Sequence, residues 1–202
     1  MKKLYGLVVC GGQSTRMRTD KSLLEYHNLP QWHYVYNLLS PICDKVFISH
    51  NAEQAMDIEA FYNPISDHHD YLNIGPMAAL LSAFKQQADA SFLVVGCDYP
   101  YINEMDLKRL IDYRNEGADA ICYYNPENKF EEPLLAIYEN ACLSKLLRNF
   151  EDGNYSLRYF LKSIYAKKIM PESLESLISV DTMEQYQEAL VKLKESSKNS
   201  TT

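Results

Sequence analysis

Short apolar runs that alternate with longer helical patterns constrain this chain more than any other feature. The runs fall at 4–10, 45–49, 92–96, 118–123, 133–138 and 177–180. The helical patterns fall at 22–39, 54–61, 76–87, 104–115, 140–149, 156–163 and 183–195. Alternation of this kind predicts a doubly wound α/β sheet, with strands buried between helices. The pattern at 104–115 has the firmest ends: Asn103 precedes Leu107, Leu110 and Ile111 with Asp106 three positions on, and Gly117 lies just beyond. With 202 residues, 47% of them apolar, the chain can bury a full core, and a single domain is expected over residues 1–195. The tail 196–202 lacks apolar residues to hold it in place and is expected to be disordered.

The first apolar run breaks at Gly11-Gly12 into the loop Gln13-Ser14-Thr15-Arg16-Met17-Arg18-Thr19-Asp20-Lys21. Adjacent glycines let the backbone turn sharply and bring bare N–H groups close to an anion, because no Cβ blocks the approach. Arg16, Arg18 and Lys21 concentrate positive charge in a chain of formal net charge −7. That contrast points to local phosphate chemistry and away from nucleic acid, whose backbone the total charge opposes. The spacing matches neither G-x-x-x-x-G-K-[ST] nor G-x-G-x-x-G. A tight strand-to-helix turn followed by solvated charges is the competing reading.

In open α/β sheets ligands sit beyond the carboxyl ends of the strands, which selects a few more residues. Asp98 ends the apolar run Phe92-Leu93-Val94-Val95-Gly96 and is followed by Pro100; a carboxylate there suits Mg²⁺, or else caps the next turn. Asp181 is a second candidate ligand, with helix capping through Asp181-x-x-Glu184 or Thr182-x-x-Gln185 as its structural alternative. Gly75-Pro76 opens a helix whose N-terminal amides suit an anion or a base carbonyl. His68-His69-Asp70 is read as a solvated loop, because adjacent side chains rarely point the same way.

Other classes find no support. The five cysteines are widely spaced without C-x-x-C, which fits reduced thiols in a cytoplasmic protein. No segment approaches the apolar length of a membrane span, and the N-terminal run is interrupted before it could serve as a signal peptide. Sixteen tyrosines read as amphipathic packing at core edges or a subunit contact. There is no G-x-S-x-G, no H-E-x-x-H and no Cys/His nucleophile pattern. Phosphoryl and nucleotidyl transfer need none of these, since positioning, cations and Mg²⁺ supply most of the stabilisation.

The loop Gly11-Gly12-Gln13-Ser14-Thr15-Arg16-Met17 with Asp20-Lys21 resembles that of the molybdenum cofactor guanylyltransferase (MobA) family of nucleotidyltransferases. The resemblance continues, in the family's order, at Gly75-Pro76-Met77-Ala78, Cys97-Asp98-Tyr99-Pro100, Glu132-Pro133-Leu134-Leu135-Ala136-Ile137-Tyr138 and Val180-Asp181-Thr182-Met183-Glu184. It implies a Rossmann-like, three-layer nucleotidyltransferase fold with a mostly parallel sheet. The implied reaction joins GMP from Mg·GTP to the terminal phosphate of molybdopterin carrying molybdenum and releases pyrophosphate. By the same resemblance Gly11, Gly12 and Ser14 hold the triphosphate, and Arg16 and Lys21 neutralise it. Lys21 stabilises charge at the α-phosphate, and Asp98 holds Mg²⁺ with Asp181 as the second candidate. Asn51 and Asp67 lie near the base or ribose, and Gly75 allows close approach of the nucleotide. Contacts with other proteins of molybdenum cofactor synthesis are implied as well.

The sequence departs from that pattern. Arg18 stands in the place of a family glycine, and Glu132 in that of a frequent histidine; Ala79 also replaces a frequent glycine. Asp181 replaces an asparagine and resembles the cytidylyl relatives, whereas the Gly-Gly loop start resembles the guanylyl branch. Two alternatives therefore stand beside GTP transfer: a cytidylyltransferase for the same cofactor, and a non-catalytic nucleotide-binding protein on the same fold.

Overall fold

The computed structural model describes residues 3–10, 20–50, 58–114 and 117–199. Seven strands form one sheet: β1 (Leu4–Val9), β2 (Lys45–His50), β3 (Pro64–Ser66), β4 (Ser91–Gly96), β5 (Ala120–Asn125), β6 (Phe130–Tyr138) and β7 (Ala166–Ile169). Their spatial order is β3-β2-β1-β4-β6-β5-β7. Strand β6 runs antiparallel to its neighbours β4 and β5, and the remaining pairs are parallel. The helices are α1 (Gln31–Leu39), α2 (Pro76–Gln86), α3 (Glu104–Asp112), α4 (Leu143–Glu151), α5 (Leu157–Ser163) and α6 (Met183–Asn199).

Alternation along each central strand divides the core into two. Leu7, Val9, Phe92 and Val94 face one side, where they pack with residues of α2, α4 and α5 such as Leu80, Phe84, Leu146 and Phe160. Val8, Leu93 and Val95 face the other, against Val35 and Leu39 of α1 and Leu107 and Leu110 of α3. Strands loaded on both faces need helices on both, which gives the expected three-layer, mostly parallel, doubly wound architecture.

Several boundaries differ from the sequence expectation. The pattern at 22–39 is not one helix: a short 3-10 turn, Lys21–Leu23, is followed by non-helical chain, and α1 starts only at Gln31. Asn28 lies at φ +60°, and Pro30 supplies no N–H to an earlier turn, so the helix cannot begin sooner. The run 177–180 is not a strand. Residues Leu174–Leu177 form a 3-10 turn and the chain continues irregularly, with Leu177 and Val180 buried through tertiary contact. Of the pattern at 54–61, residues 54–57 lie outside the described residues, and Ala60–Tyr62 is a 3-10 turn. The structure adds the edge strands β3 and β7, which are short and partly polar, as edges tend to be, and so gave no apolar run to read. Helix α6 continues to Asn199, past its expected end.

The expected cap of α3 forms in full. Asn103 Oδ1 accepts from the N–H groups of Met105 (2.9 Å) and Asp106 (3.2 Å), and Asp106 Oδ2 accepts from Asn103 N–H at 3.2 Å. Asn103→Ala leaves two amide donors without that acceptor, and a urea titration is expected to show a loss of about 1–2 kcal/mol. Among the described residues no helix is long and apolar enough to cross a membrane, and the five cysteines form no disulfide.

Candidate active site

Strands β1 and β4 end side by side, with Val9 opposite Gly96. The chain beyond them places Cys10 Sγ 3.6 Å from Cys97 Sγ, two buried thiols at the ends of the paired strands. The next residue after Cys97 is Asp98. Its approach depends on Gly96, where an added Cβ would lie 2.5 Å from Asp98 Oδ1 and 3.1 Å from Leu134 Cδ1. Asp98 Oδ1 is buried and has no hydrogen-bond partner among the described residues. Burial pushes the Asp98 carboxyl up to about 6; Lys21 opposes the shift, while Asp181 and Glu132 add to it.

Two separate segments converge on Asp98. Val180 N–H donates to the Asp98 carbonyl at 2.8 Å, which sets the start of the α6 segment beside it. Asp181, the following residue, makes an ion pair with Lys21 through its Oδ1. The capping alternative for Asp181 is settled by its neighbours. Gln185 Oε1 accepts from the N–H groups of Asp181 (2.7 Å) and Thr182 (3.1 Å), and Thr182 Oγ1 accepts from Gln185 N–H at 3.2 Å. Capping is done by Thr182 and Gln185, and the Asp181 carboxylate is left for Lys21.

Lys21 is held from its own side too. Asp20 Oδ1 accepts from Ser22 N–H (2.9 Å) and Ser22 Oγ (2.7 Å), which fixes the 3-10 turn that Lys21 opens. Helix α6 packs on the same segment: Tyr26 and Tyr186 meet edge to face at 5.0 Å, and Tyr186 OH donates to the Glu25 carbonyl at 3.2 Å. Lys21, Asp98 and Asp181 are 160 residues apart at the extremes, yet they form one cluster of a cation and two carboxylates.

Asp67 and Gly75 lie at the β3 end of the same sheet edge. Asp67 follows β3 and donates its N–H to the His50 carbonyl at 3.3 Å. Burial pushes its carboxyl up to about 6, with His50 opposing. Gly75 stands before α2 at φ +64° and ψ −149°, a conformation open essentially to glycine alone, and a Cβ there would meet nothing within 4 Å. The helix start offers fewer amides than expected, because Pro76, its first residue, has no N–H and Ala78 N–H donates to the Gly75 carbonyl at 3.0 Å. Gly11, Gly12, Ser14, Arg16 and Asn51, together with Arg18, lie outside the described residues.

The histidine triplet stays largely exposed, as a solvated loop would, but its side chains do not diverge as expected. His68 Nδ1 and His69 Nε2 approach opposite oxygens of Asp70 at 3.2 and 3.1 Å, because the 3-10 turn His69–Tyr71 folds the triplet on itself. Lys85 Nζ, 2.6 Å from Asp70 Oδ2, already supplies a cation to this group. The sequence reading also missed the buried residues behind Asp98. Tyr99 OH donates to Glu132 Oε2 at 3.0 Å, and Asn125 Nδ2 donates to Glu132 Oε1 at 3.3 Å. A charged residue ahead of proline in an otherwise apolar run was the available signal.

A family model described as the MobA-like NTP transferase domain matches residues 6–169. A molybdenum cofactor biosynthesis bifunctional protein of Synechocystis sp. is 30% identical over 91% of this chain, which spans about half (52%) of that relative's length. The molybdenum cofactor guanylyltransferase of Campylobacter jejuni subsp. doylei is 25% identical, with 96% of this chain and 99% of that protein covered. Among solved structures, molybdopterin-guanine dinucleotide biosynthesis protein A from Archaeoglobus fulgidus superposes with a TM-score of 0.78 at 21% identity, covering 95% of this chain and 99% of that one. The structural likeness shows a shared fold.

Proposed function

Because this chain belongs to the family of MobA-like NTP transferase domains, we propose that it is the nucleotidyltransferase that moves GMP from GTP to the terminal phosphate of molybdopterin carrying molybdenum, with release of pyrophosphate. The convergence of Lys21, Asp98 and Asp181 at the ends of β1 and β4 carries this reading. The names of the relatives from Synechocystis and Campylobacter support the acceptor and the nucleotide.

The residues fit a divalent cation. Asp98 Oδ1 is a buried carboxylate oxygen without a partner among the described residues, and Asp181 supplies a second hard oxygen donor next to it in the cluster. In this reading Asp98 and Asp181 hold Mg²⁺, which when bound supplies charge neutralisation across the triphosphate. Gly11, Gly12 and Ser14 present backbone N–H groups to the phosphates, and Arg16 adds a cation. Asn51 and Asp67 take the base or ribose, and Gly75 lets the nucleotide come close to the start of α2.

Lys21 has the central part. Its ion pair with Asp181 keeps the ammonium at the site before substrate arrives. Its charge then offsets the negative charge that develops on the α-phosphate as it becomes five-coordinate. An oxygen of the acceptor's terminal phosphate attacks the α-phosphorus, the bond to the α,β-bridging oxygen breaks, and pyrophosphate carries away the electron pair. The attacking phosphate is already anionic at neutral pH, so no side chain has to remove a proton. The reading places the reaction in the cytoplasm, where labile molybdopterin passes between proteins of the same route.

Calorimetric titration with Mg·GTP and Mg·CTP tests the nucleotide. Preferential binding of GTP is expected, and Lys21→Ala is expected to weaken it about 10- to 100-fold, the value of a charge-assisted contact. Preference for CTP, which Asp181 would favour, would move the activity to cytidylyl transfer. Pyrophosphate release that depends on added molybdopterin then tests the acceptor. Nucleotide binding without any such release would point to the non-catalytic reading.

A further inference from the structure

The antiparallel direction of β6 has a consequence at the site: it begins at the sheet edge where β4 and β5 end. Between the pairs Cys122–Ala136 and Tyr124–Glu131 the register shifts, and β6 runs through more residues than β5. Pro133 lies in this stretch, where the lack of an N–H does not interrupt a regular ladder. The bulge holds Glu132 between the ends of β4 and β5, 4% exposed, although it is charged and its strand neighbours are largely apolar.

Both carboxylate oxygens of Glu132 are used. Oε2 accepts from Tyr99 OH (3.0 Å), and Oε1 accepts from Asn125 Nδ2 (3.3 Å). Tyr99 and Asn125 are themselves 4% and 7% exposed. Asn125 cannot turn its amide round without loss, because its Oδ1 already accepts from the N–H groups of Glu127 (3.0 Å) and Asn128 (3.2 Å) in the β5–β6 turn. On the other side, the Tyr99 carbonyl accepts from Gln31 Nε2 at 3.2 Å, and the Pro100 carbonyl contacts His27 Nε2 at 2.9 Å. The corner that carries Asp98 is therefore held by α1 and the segment before it on one side and by Glu132 on the other.

We propose that Glu132 is a positioning residue for the metal-binding carboxylate: through Tyr99 it holds the corner that aims Asp98, and through Asn125 it ties that corner to the β5–β6 turn. The inference rests on the proposed function above. It goes further by assigning a role to a buried carboxylate that the proposed reaction does not otherwise use. Partners of this kind orient metal ligands, and their removal costs about 10- to 100-fold in metal affinity.

Donor and acceptor counting provides the test. In Glu132→Gln the side chain keeps one acceptor for Tyr99 OH, but its amide N–H groups then face those of Asn125. The exchange variant Glu132→Gln/Asn125→Asp restores the pair with its polarity reversed, since the new carboxylate can accept from residue 132 and from the turn at once. Binding of Mn²⁺·GTP is measured by calorimetry and by electron paramagnetic resonance for the wild type, Glu132→Gln and the exchange variant. The temperature is one at which urea titrations show each of them fully native. The dissociation constant is expected to rise about tenfold or more in Glu132→Gln and to return to within about threefold of wild type in the exchange variant. A purely structural Glu132 would shift the urea midpoint and leave the affinity of the native protein unchanged, which would overturn the proposal. Wild-type protein that took up no Mn²⁺·GTP would overturn the metal reading itself, a failure visible before any substitution is made.

Discussion

Asp98→Asn is expected to lower the turnover of pyrophosphate release on the order of 10³-fold, while making the metal-free protein more stable at pH 8. The loss of activity follows from replacing a buried anionic oxygen, unbonded among the described residues, with a neutral group of similar shape. The gain in stability follows from the same burial. The folded carboxyl titrates at about 6, against 3.8 for the unshifted group. A carboxyl raised on folding favours the native state only when protonated, so stability falls as pH rises from about 4 to about 6 and the full penalty applies above that. The asparagine variant escapes the penalty. Two pKa units correspond to about 3 kcal/mol, and partial solvent access reduces this to about 1–3 kcal/mol. Urea titrations with EDTA should show the variant ahead at pH 8 and the difference closing toward pH 4. Added Mg²⁺ and GTP should reverse the order, because only the wild type gains binding energy. A variant less stable than wild type at pH 8 would mean that Lys21 and the local dipoles outweigh desolvation.

The second large effect is expected from adding one methyl group. In Gly96→Ala the new Cβ would sit 2.5 Å from Asp98 Oδ1 and 3.1–3.2 Å from Leu134 of β6. Retreat of the methyl is blocked by β6, so the carboxylate must move. Because a carboxylate rotates more easily than a sheet deforms, the cost falls mainly on the site: turnover is expected to drop about 10²-fold, with a stability loss of about 1–3 kcal/mol. The pair of measurements is activity against urea midpoint. A variant that kept wild-type turnover would show that the aim of Asp98 is not critical. A variant that lost both in proportion would show that the clash disrupts the sheet instead.

These two residues show how unevenly the site was written in the sequence. Asp98 was legible because a carboxylate ending an apolar strand is rare enough to mark. Gly96 read only as the last residue of that strand, since its reason lies in the side chains of Asp98 and Leu134 that a Cβ would strike. Spacing left Asp181 as a helix cap or a metal ligand, and the two were separated only by the tertiary contacts in which Gln185 and Thr182 cap α6 themselves. The triplet His68-His69-Asp70 was expected to diverge, and a local 3-10 turn drew it together around Lys85. Glu132 stood out only as a departure from a family histidine, and its role was not legible because its partners Tyr99 and Asn125 come from two other strand ends.

What the sequence alone determined is whatever depends on neighbours along the chain. Apolar runs fix strands buried on both faces, Asn103 and Asp106 fix the start of α3, and strand ends followed by glycine or aspartate mark the carboxyl edge of the sheet. Edge strands β3 and β7 escaped it because they are short and partly polar, and the non-strand at Leu177 because its burial comes from distant contacts; the break before α1 lay in the local chemistry of Asn28 and Pro30. Only the tertiary structure decided which charges meet. Lys21 and Asp181 stand at opposite ends of the chain, and no local pattern links them. They meet because parallel strands deliver their carboxyl ends to one edge, and α6 then folds back over the segment that carries Lys21.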